Sequence, residues 1–228
     1  MNRNTQLWVA GGFIALIVII TVLAAVFSGG TIGGAGGVNF KPTQTAAISG
    51  TDHVRGNTAA TVTVMEYGDF QCPACGAYEP LMEQLQKDYS GKILFVFRNF
   101  PLYQIHPNAE IAAQAAEAAG LQGKYWEMHD LLYEKQNDWV NVANGSVVSD
   151  RFDAYAQSLG LDVAKFNSDI NSAAVKDKVQ ADTTLGNQAS VDHTPTFFIN
   201  LTQIPNPQSY DAFKQVVDAA LASSTAQQ

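Results

Sequence analysis

Residues 61–89 read TVTVMEYGDFQCPACGAYEPLMEQLQKDY. Thr61 to Tyr67 is β-branched and apolar apart from Glu66, which predicts a buried strand. Gly68-Asp69-Phe70-Gln71 interrupts the run, Cys72-Pro73-Ala74-Cys75 follows, and Tyr78, Leu81, Met82, Leu85 and Tyr89 then recur at helical spacing. The cysteine pair therefore opens a helix. Gly91 ends that helix, and Ile93 to Phe97 (ILFVF) is a second apolar strand leading into Arg98-Asn99-Phe100-Pro101. A strand, a helix and a strand in this order imply parallel strands joined by a right-handed crossover.

Cys72 and Cys75 are the only cysteines in the 228 residues, which excludes a multi-disulfide scaffold and a four-thiolate metal site. Two cysteines three apart at a helix N-terminus can close a small disulfide ring, and the helix dipole favours the thiolate of the first. On this reading Cys72 is the exposed nucleophile, and Cys75, one turn inside the helix, is the resolving thiol. Three plainer readings stand beside it. A structural disulfide closing so short a loop removes little chain entropy. A zinc half-site needs two more ligands, and His53, His106, His129 and His193 show no zinc-finger spacing to the pair. The third reading is two inert buried thiols. Glu66 lies six positions before Cys72 in an apolar strand, where burial raises a carboxyl pKa. The plain alternative is a strand-end glutamate that reaches water two residues before Gly68.

Working outward, residues 108–190 are helical in pattern. The block begins with the alanine-rich AEIAAQAAEAAG and continues with segments at 124–133, 150–159, 162–170 and 173–185. Tyr125, Trp126 and Trp139 in this block are expected to serve packing. Pro195 to Ile199 is a third strand, Leu201 to Ile204 a fourth, and Ser209 to Ala222 a closing helix. Towards the N-terminus, Leu7 to Phe27 is a run of 21 residues without charge, long enough to cross a hydrocarbon core. Arg3 precedes it and nothing charged follows until Lys41, so the N-terminus is expected in the cytoplasm and the remainder outside. Residues 28–50 hold seven glycines and read as a flexible tether. A formal net charge of -8 argues against nucleic acid as a partner.

The motifs MEYGDFQCPAC at 65–75, FRNFPL at 97–102 and HTPTFFIN at 193–200 together resemble the DsbA-like thioredoxin-fold thiol–disulfide oxidoreductases, most closely their membrane-anchored bacterial branch. The resemblance covers about 52–222 and implies an α/β architecture: a thioredoxin fold with an inserted helical domain, here preceded by one N-terminal transmembrane helix. The expected division is 1–6 cytoplasmic N-terminus, 7–27 anchor, 28–50 tether, 51–107 first thioredoxin part, 108–190 helical insertion, 191–222 second thioredoxin part and 223–228 tail. The resemblance makes Cys72 and Cys75 the redox pair, Pro73 and Ala74 their loop, Thr194-Pro195 a cis-proline loop that pairs with extended substrate chains, and Glu66 a buried acid beneath the pair that accepts the Cys75 proton.

The implied activity is donation of the Cys72–Cys75 disulfide to reduced exported proteins through a mixed disulfide at Cys72, with no dissociable cofactor. Reoxidation by a quinone-linked membrane thiol oxidase follows by analogy alone. A monomer is expected, since no segment reads as a dimerisation stalk. A reductase or isomerase, and a non-catalytic chaperone-like module, are the alternatives. Two departures from the family bear on the site. The dipeptide between the cysteines is Pro-Ala and lacks the histidine of the strongest oxidants, which implies a less stabilised thiolate, and the turn after Ile199 lacks a glycine. His193, close to Pro195, either tunes the thiolate or is a surface residue.

Overall fold

The structure is a computed structural model and describes residues 47–143 and 145–226. The expected cytoplasmic N-terminus at 1–6, the span at 7–27 and all but the last four residues of the tether lie outside the described residues. Among the described residues, no helix is long and apolar enough to cross a membrane.

Five strands form one sheet: β1 (His53–Gly56), β2 (Val62–Gly68), β3 (Ile93–Asn99), β4 (Thr196–Ile199) and β5 (Thr202–Ile204). Their spatial order is β1-β3-β2-β4-β5. The central pair β2 and β3 is parallel, and the other pairings are antiparallel. All seven residues of β2 and all seven of β3 are buried, which is why both strands read as near-continuous apolar runs: the sheet is covered on both faces.

Period-two alternation distributes their side chains. Val62, Val64, Ile93, Phe95 and Phe97 join the larger core, whereas Met65, Tyr67, Leu94 and Val96 join the smaller one on the opposite face. Glu66 is in step with Val62 and Val64, so it points into the larger core. Helix α1 (Pro73–Asp88) packs there through Cys75, Met82 and Leu85. The parity that buries Val64 thus also aims Glu66 at the cysteine helix.

The segment between β3 and β4 is helical: α2 (Ala109–Gly120), α3 (Tyr125–Glu134), α4 (Gln136–Trp139), α5 (Gly145–Ser158), α6 (Val163–Ile170) and α7 (Ala173–Gln188). Helix α2 buries seven alanines, whose small side chains allow its neighbours a close approach. Trp139 and Tyr125 are core residues, the latter stacked on His53 with ring centroids 3.3 Å apart. The closing helix α8 (Tyr210–Thr225) is capped by the Ser209 side chain, which accepts from the Ala212 N–H, and it runs three residues into the segment read as a tail.

Three features differ from the sequence reading. The four residues of β1 have no apolar alternation, and pairing with the edge of β3 is what makes them a strand. Helix α4 is a single turn, too short for any periodicity. The two-residue turn between β4 and β5 needs a positive φ, and Asn200 supplies it at 54° in place of glycine. Its side-chain oxygen accepts from the Thr63 N–H at 2.8 Å, fastening the turn to β2.

The smaller core carries a buried ion pair. Arg98 Nε donates to Asp52 Oδ1 at 2.8 Å, Nη2 donates to Asp52 Oδ2 and to the Ala47 carbonyl at 2.7 Å, and Nη1 donates to the Tyr67 hydroxyl at 2.8 Å. Both charged side chains are wholly inaccessible. Burial alone raises the Asp52 pKa, but the bonds from Arg98 and from the Ser49 N–H reverse this and hold the carboxyl below its usual range.

Candidate active site

Helix α1 begins at Pro73, whose missing N–H costs nothing at a first helical position, and Cys72 is the N-cap residue. The two cysteines are present as free thiols. Cys72 Sγ lies 3.4 Å from the Thr194 carbonyl, across 122 residues of chain, and the Thr194–Pro195 peptide is cis. Asn206 Nδ2 donates to the Pro195 carbonyl at 2.7 Å and holds that loop. Pro73 and Ala74 are exposed at the rim. Cys72 itself, expected to be exposed, keeps only 7% of its surface, because the cis-proline loop covers it.

The two sulfurs differ sharply in acidity. A hydrogen bond from the Cys75 thiol lowers the Cys72 pKa most. Burial opposes this, and further lowering comes from the Thr194 side chain and the backbone N–H groups of Cys75 and Ala74, for a net value of about 5. The Thr194 hydroxyl is buried with no hydrogen-bond partner of its own, so it is available to a thiolate. The stabilisation expected of an intervening histidine is met here by helix N-terminal N–H groups and two side chains. His193 does not take that part: it is exposed, and its Nδ1 pairs with Asp192 Oδ1 at 2.6 Å.

Cys75 is 1% exposed. Burial raises its pKa well above the usual thiol range, with the bond to Cys72 and the nearby Glu66 charge adding to it. At pH 7 Cys72 is thus almost wholly thiolate and Cys75 almost wholly thiol. The absorbance of the Cys72 thiolate near 240 nm is expected to titrate with a midpoint near 5. In a Cys75→Ala background the midpoint is expected to rise, since the largest lowering contribution is removed.

Glu66 is 1% exposed, so it does not reach water at the strand end. Burial, followed by the charges of Glu79 and Cys72, raises its pKa well above the carboxylate range, and its Oε2 has no hydrogen-bond partner.

Several residues that shape the site left no mark in the sequence. Asp69 Oδ1 accepts from the Gln71 N–H at 2.7 Å, while its Oδ2 accepts from the Leu102 N–H at 2.9 Å and lies 2.7 Å from His106 Nδ1, so one buried carboxylate ties the loop before Cys72 to the loop after β3. From α4, Gln136 Nε2 donates to the Phe70 carbonyl at 2.8 Å and to the Cys72 carbonyl at 2.9 Å, and its amide rests against Gly76. Gln71 Nε2 donates to the Val140 carbonyl at 2.7 Å, and Gln71 Oε1 accepts from the Asn108 N–H at 2.6 Å. The helical insertion thereby clamps the backbone that presents Cys72. Gln136→Ala strips two carbonyls of a donor and is expected to cost about 1–3 kcal/mol in urea unfolding; a loss within experimental error would show that water replaces the amide.

Among the described residues, Glu79, His129 and Asp130 bring one ligand-type atom each to within 4.8 Å of one another. The Arg55 guanidinium already sits on Asp130, with Nη2 at 2.8 Å from Oδ2, and meets part of the negative charge a cation would need.

A parallel strand–helix–strand core, an antiparallel strand entered through a cis proline and a cysteine pair at the helix start define a thiol-bearing thioredoxin fold. The family model described as thioredoxin matches residues 48–219, and the chain belongs to that family. Its fold is DsbA-like. It resembles alpha-DsbA1 of Wolbachia pipientis, with a TM-score of 0.69 and 22% identity over 79% of this chain and 96% of that one. It also resembles a thioredoxin-like oxidoreductase from Silicibacter pomeroyi, with a TM-score of 0.61 and 26% identity over 75% of this chain and 93% of the other. Among curated proteins, the sodium/proton antiporter NhaA 3 of Salinispora tropica is 39% identical over 173 residues. That match takes in 76% of this chain but only 25% of the antiporter, so the chain spans about a quarter of the length of this relative.

Proposed function

We propose that the chain is an extracytoplasmic thiol–disulfide oxidoreductase that donates the Cys72–Cys75 disulfide to reduced exported proteins, held at the membrane by residues 7–27. The observation that carries this reading is the opposed acidity of the two sulfurs, about 5 for Cys72 against a strongly raised Cys75.

In the first step a substrate thiolate attacks Cys72 Sγ. The Cys72–Cys75 bond breaks, a substrate–Cys72 disulfide forms, and Cys75 departs as a thiolate. The high pKa of Cys75 calls for a proton at that moment, and Glu66, whose burial favours the protonated carboxyl, supplies it. In the second step another substrate thiolate attacks the substrate sulfur, the substrate disulfide closes, and Cys72 leaves as a stable thiolate. The reverse sequence has Glu66 accepting the Cys75 proton as Cys75 attacks. Thr194 and Pro195 frame the approach to Cys72, and their loop is where an extended substrate chain would pair.

A low thiolate pKa stabilises the dithiol over the disulfide and so makes the disulfide oxidising. Reoxidation by a quinone-linked membrane thiol oxidase, and action as a monomer, complete the proposal. The relatives with antiporter names share only the segment matched here, and the chemistry of that segment alone is assigned to this chain.

Equilibration of the full chain with glutathione mixtures tests the direction. A potential of roughly -120 mV is expected for a disulfide donor, whereas about -270 mV would match a thioredoxin-like reductant and reverse the proposed electron flow.

A further inference from the structure

We propose that the proton exchanged at Cys75 travels between the active site and solvent along Glu66, Glu79 and His129, leaving at Asp130 in a surface cleft, with His129 as the relay. This rests on the thiol–disulfide reading and adds a route through the helical insertion.

Three buried side chains are left partly unsatisfied in one place. Glu66, Glu79 and His129 are 1%, 6% and 0% exposed, and Glu66 Oε2, Glu79 Oε1 and His129 Nε2 have no hydrogen-bond partner. Each such atom costs about 1–3 kcal/mol, so the arrangement does not serve stability. Glu79 and His129 are also neighbours, with Asp130 beyond them. Glu79 is one turn beyond Cys75 on the buried face of α1, and its charge is felt by Glu66. Glu79 Oε1 lies 3.9 Å from His129 Nδ1, which lies 3.0 Å from Asp130 Oδ1. A rotation of the Glu79 carboxyl closes the first gap, about 1 Å beyond hydrogen-bond length.

The rings of Phe70, Phe97, Trp126 and Tyr133 surround the imidazole with centroids 4.6 to 5.4 Å from it, a wall that fixes its plane and keeps water out. Asp130 is 36% exposed at its side chain and lines a cleft with Arg55, Glu83, Gln86 and Lys87. The titratable groups facing His129 are thus Glu79 from α1, Asp130, Tyr125 and Tyr133 from its own helix, and, one step beyond at either end, Glu66 from β2 and Arg55 from β1.

The chemistry balances with a single proton. When Cys75 departs as a thiolate it takes the Glu66 proton, and Glu66 is reprotonated through Glu79 and His129 from water at the Asp130 cleft. When Cys75 attacks, the proton runs outward. No electrons move beyond those of the disulfide exchange.

The test is a stopped-flow reaction of the reduced full chain in detergent with dithiobis(nitrobenzoate), at several pH values. Attack by Cys72 releases a first thionitrobenzoate, and attack by Cys75 on the resulting mixed disulfide releases a second. His129→Gln and Asp130→Asn are each expected to slow the second phase about tenfold at pH 7 and to steepen its pH dependence, with the first phase and the Cys72 titration unmoved. Wild-type second phases at every pH would overturn the route, as would equal slowing of both phases, which marks a merely structural role. Should His129→Gln fail to fold, Asp130→Asn at the solvent end decides alone. Wild-type protein without a second phase would instead overturn the dithiol reading itself.

Discussion

Cys75→Ala protein mixed at pH 7 with a disulfide-containing substrate is expected to accumulate as a covalent adduct through Cys72, seen as a band on non-reducing gels that thiols abolish. Cys72 retains its position at the helix N-cap, the Thr194 side chain and the N–H groups behind it, so attack on the substrate proceeds. The thiol that would expel the substrate is missing, and the intermediate persists. Cys72→Ala has the opposite outcome. The remaining thiol is 1% exposed with a strongly raised pKa, so its thiolate is scarce and out of reach, and exchange should fall at least about 100-fold.

The sign of the pH dependence follows from the depressed Cys72 pKa. The thiolate is fully present above the ordinary thiol range and is lost only as pH falls through about 5, so attack by Cys72 of the wild-type protein should hold nearly level from pH 8 to 6 and drop below. The largest share of the lowering comes from the Cys75 thiol, so in Cys75→Ala the fall begins at higher pH with its direction unchanged. Equal adduct formation by Cys72→Ala and Cys75→Ala would remove the division of labour between the two sulfurs.

The second large effect concerns stability. Arg98→Ala is expected to cost about 3–5 kcal/mol in urea unfolding, because it abandons a carboxylate inside the protein and does more than delete a contact. Asp52, Tyr67 and the Ala47 carbonyl all lose a donor at once, and neither charged side chain of the pair touches solvent. The Asp52 pKa is lowered in the folded state, so the contribution of the pair is present above the ordinary carboxylate range and fades as pH falls through the folded value. The cost of Arg98→Ala should therefore be level between pH 6 and 8 and shrink below about 4. Arg98→Lys, which keeps charge but not the forked donor geometry, should recover only part of the loss. A cost under about 1 kcal/mol for Arg98→Ala would mean that the segment around Asp52 detaches from the sheet and rehydrates.

The redox site was legible in proportion to how local its parts are. Cys72 and Cys75 stand one helical turn apart, so their shared helix end follows from spacing alone. Glu66 was legible because it stands in the otherwise apolar run TVTVMEY, and the structure adds that it shares the face of Val62 and Val64, which meets α1. Thr194 and Pro195 came from a motif whose contact with Cys72 no spacing could reveal, since 122 residues intervene.

Gln136, Asn108, Asn206 and His129 were not legible as site residues. Each acts through a backbone or side-chain partner far away in sequence, as in the 64 residues between Gln136 and the Cys72 carbonyl. A glutamine, an asparagine or a histidine looks the same in the sequence whether it is buried against a distant partner or faces water. The exposure of Cys72 was misjudged for a related reason: a helix N-terminus is open by itself, and the loop that closes it arrives from the other end of the chain.

From the sequence alone follow the central strands, the cysteine helix and the helical block, because hydrophobic periodicity is a property of contiguous residues. Tertiary structure alone decided the recruitment of His53–Gly56 as an edge strand, the burial of Arg98 with Asp52 and the partly unsatisfied burial of Glu66, Glu79 and His129. Those features depend on which distant groups share a low-dielectric space, and burial and pairing of polar atoms are settled only when the whole chain has closed around them.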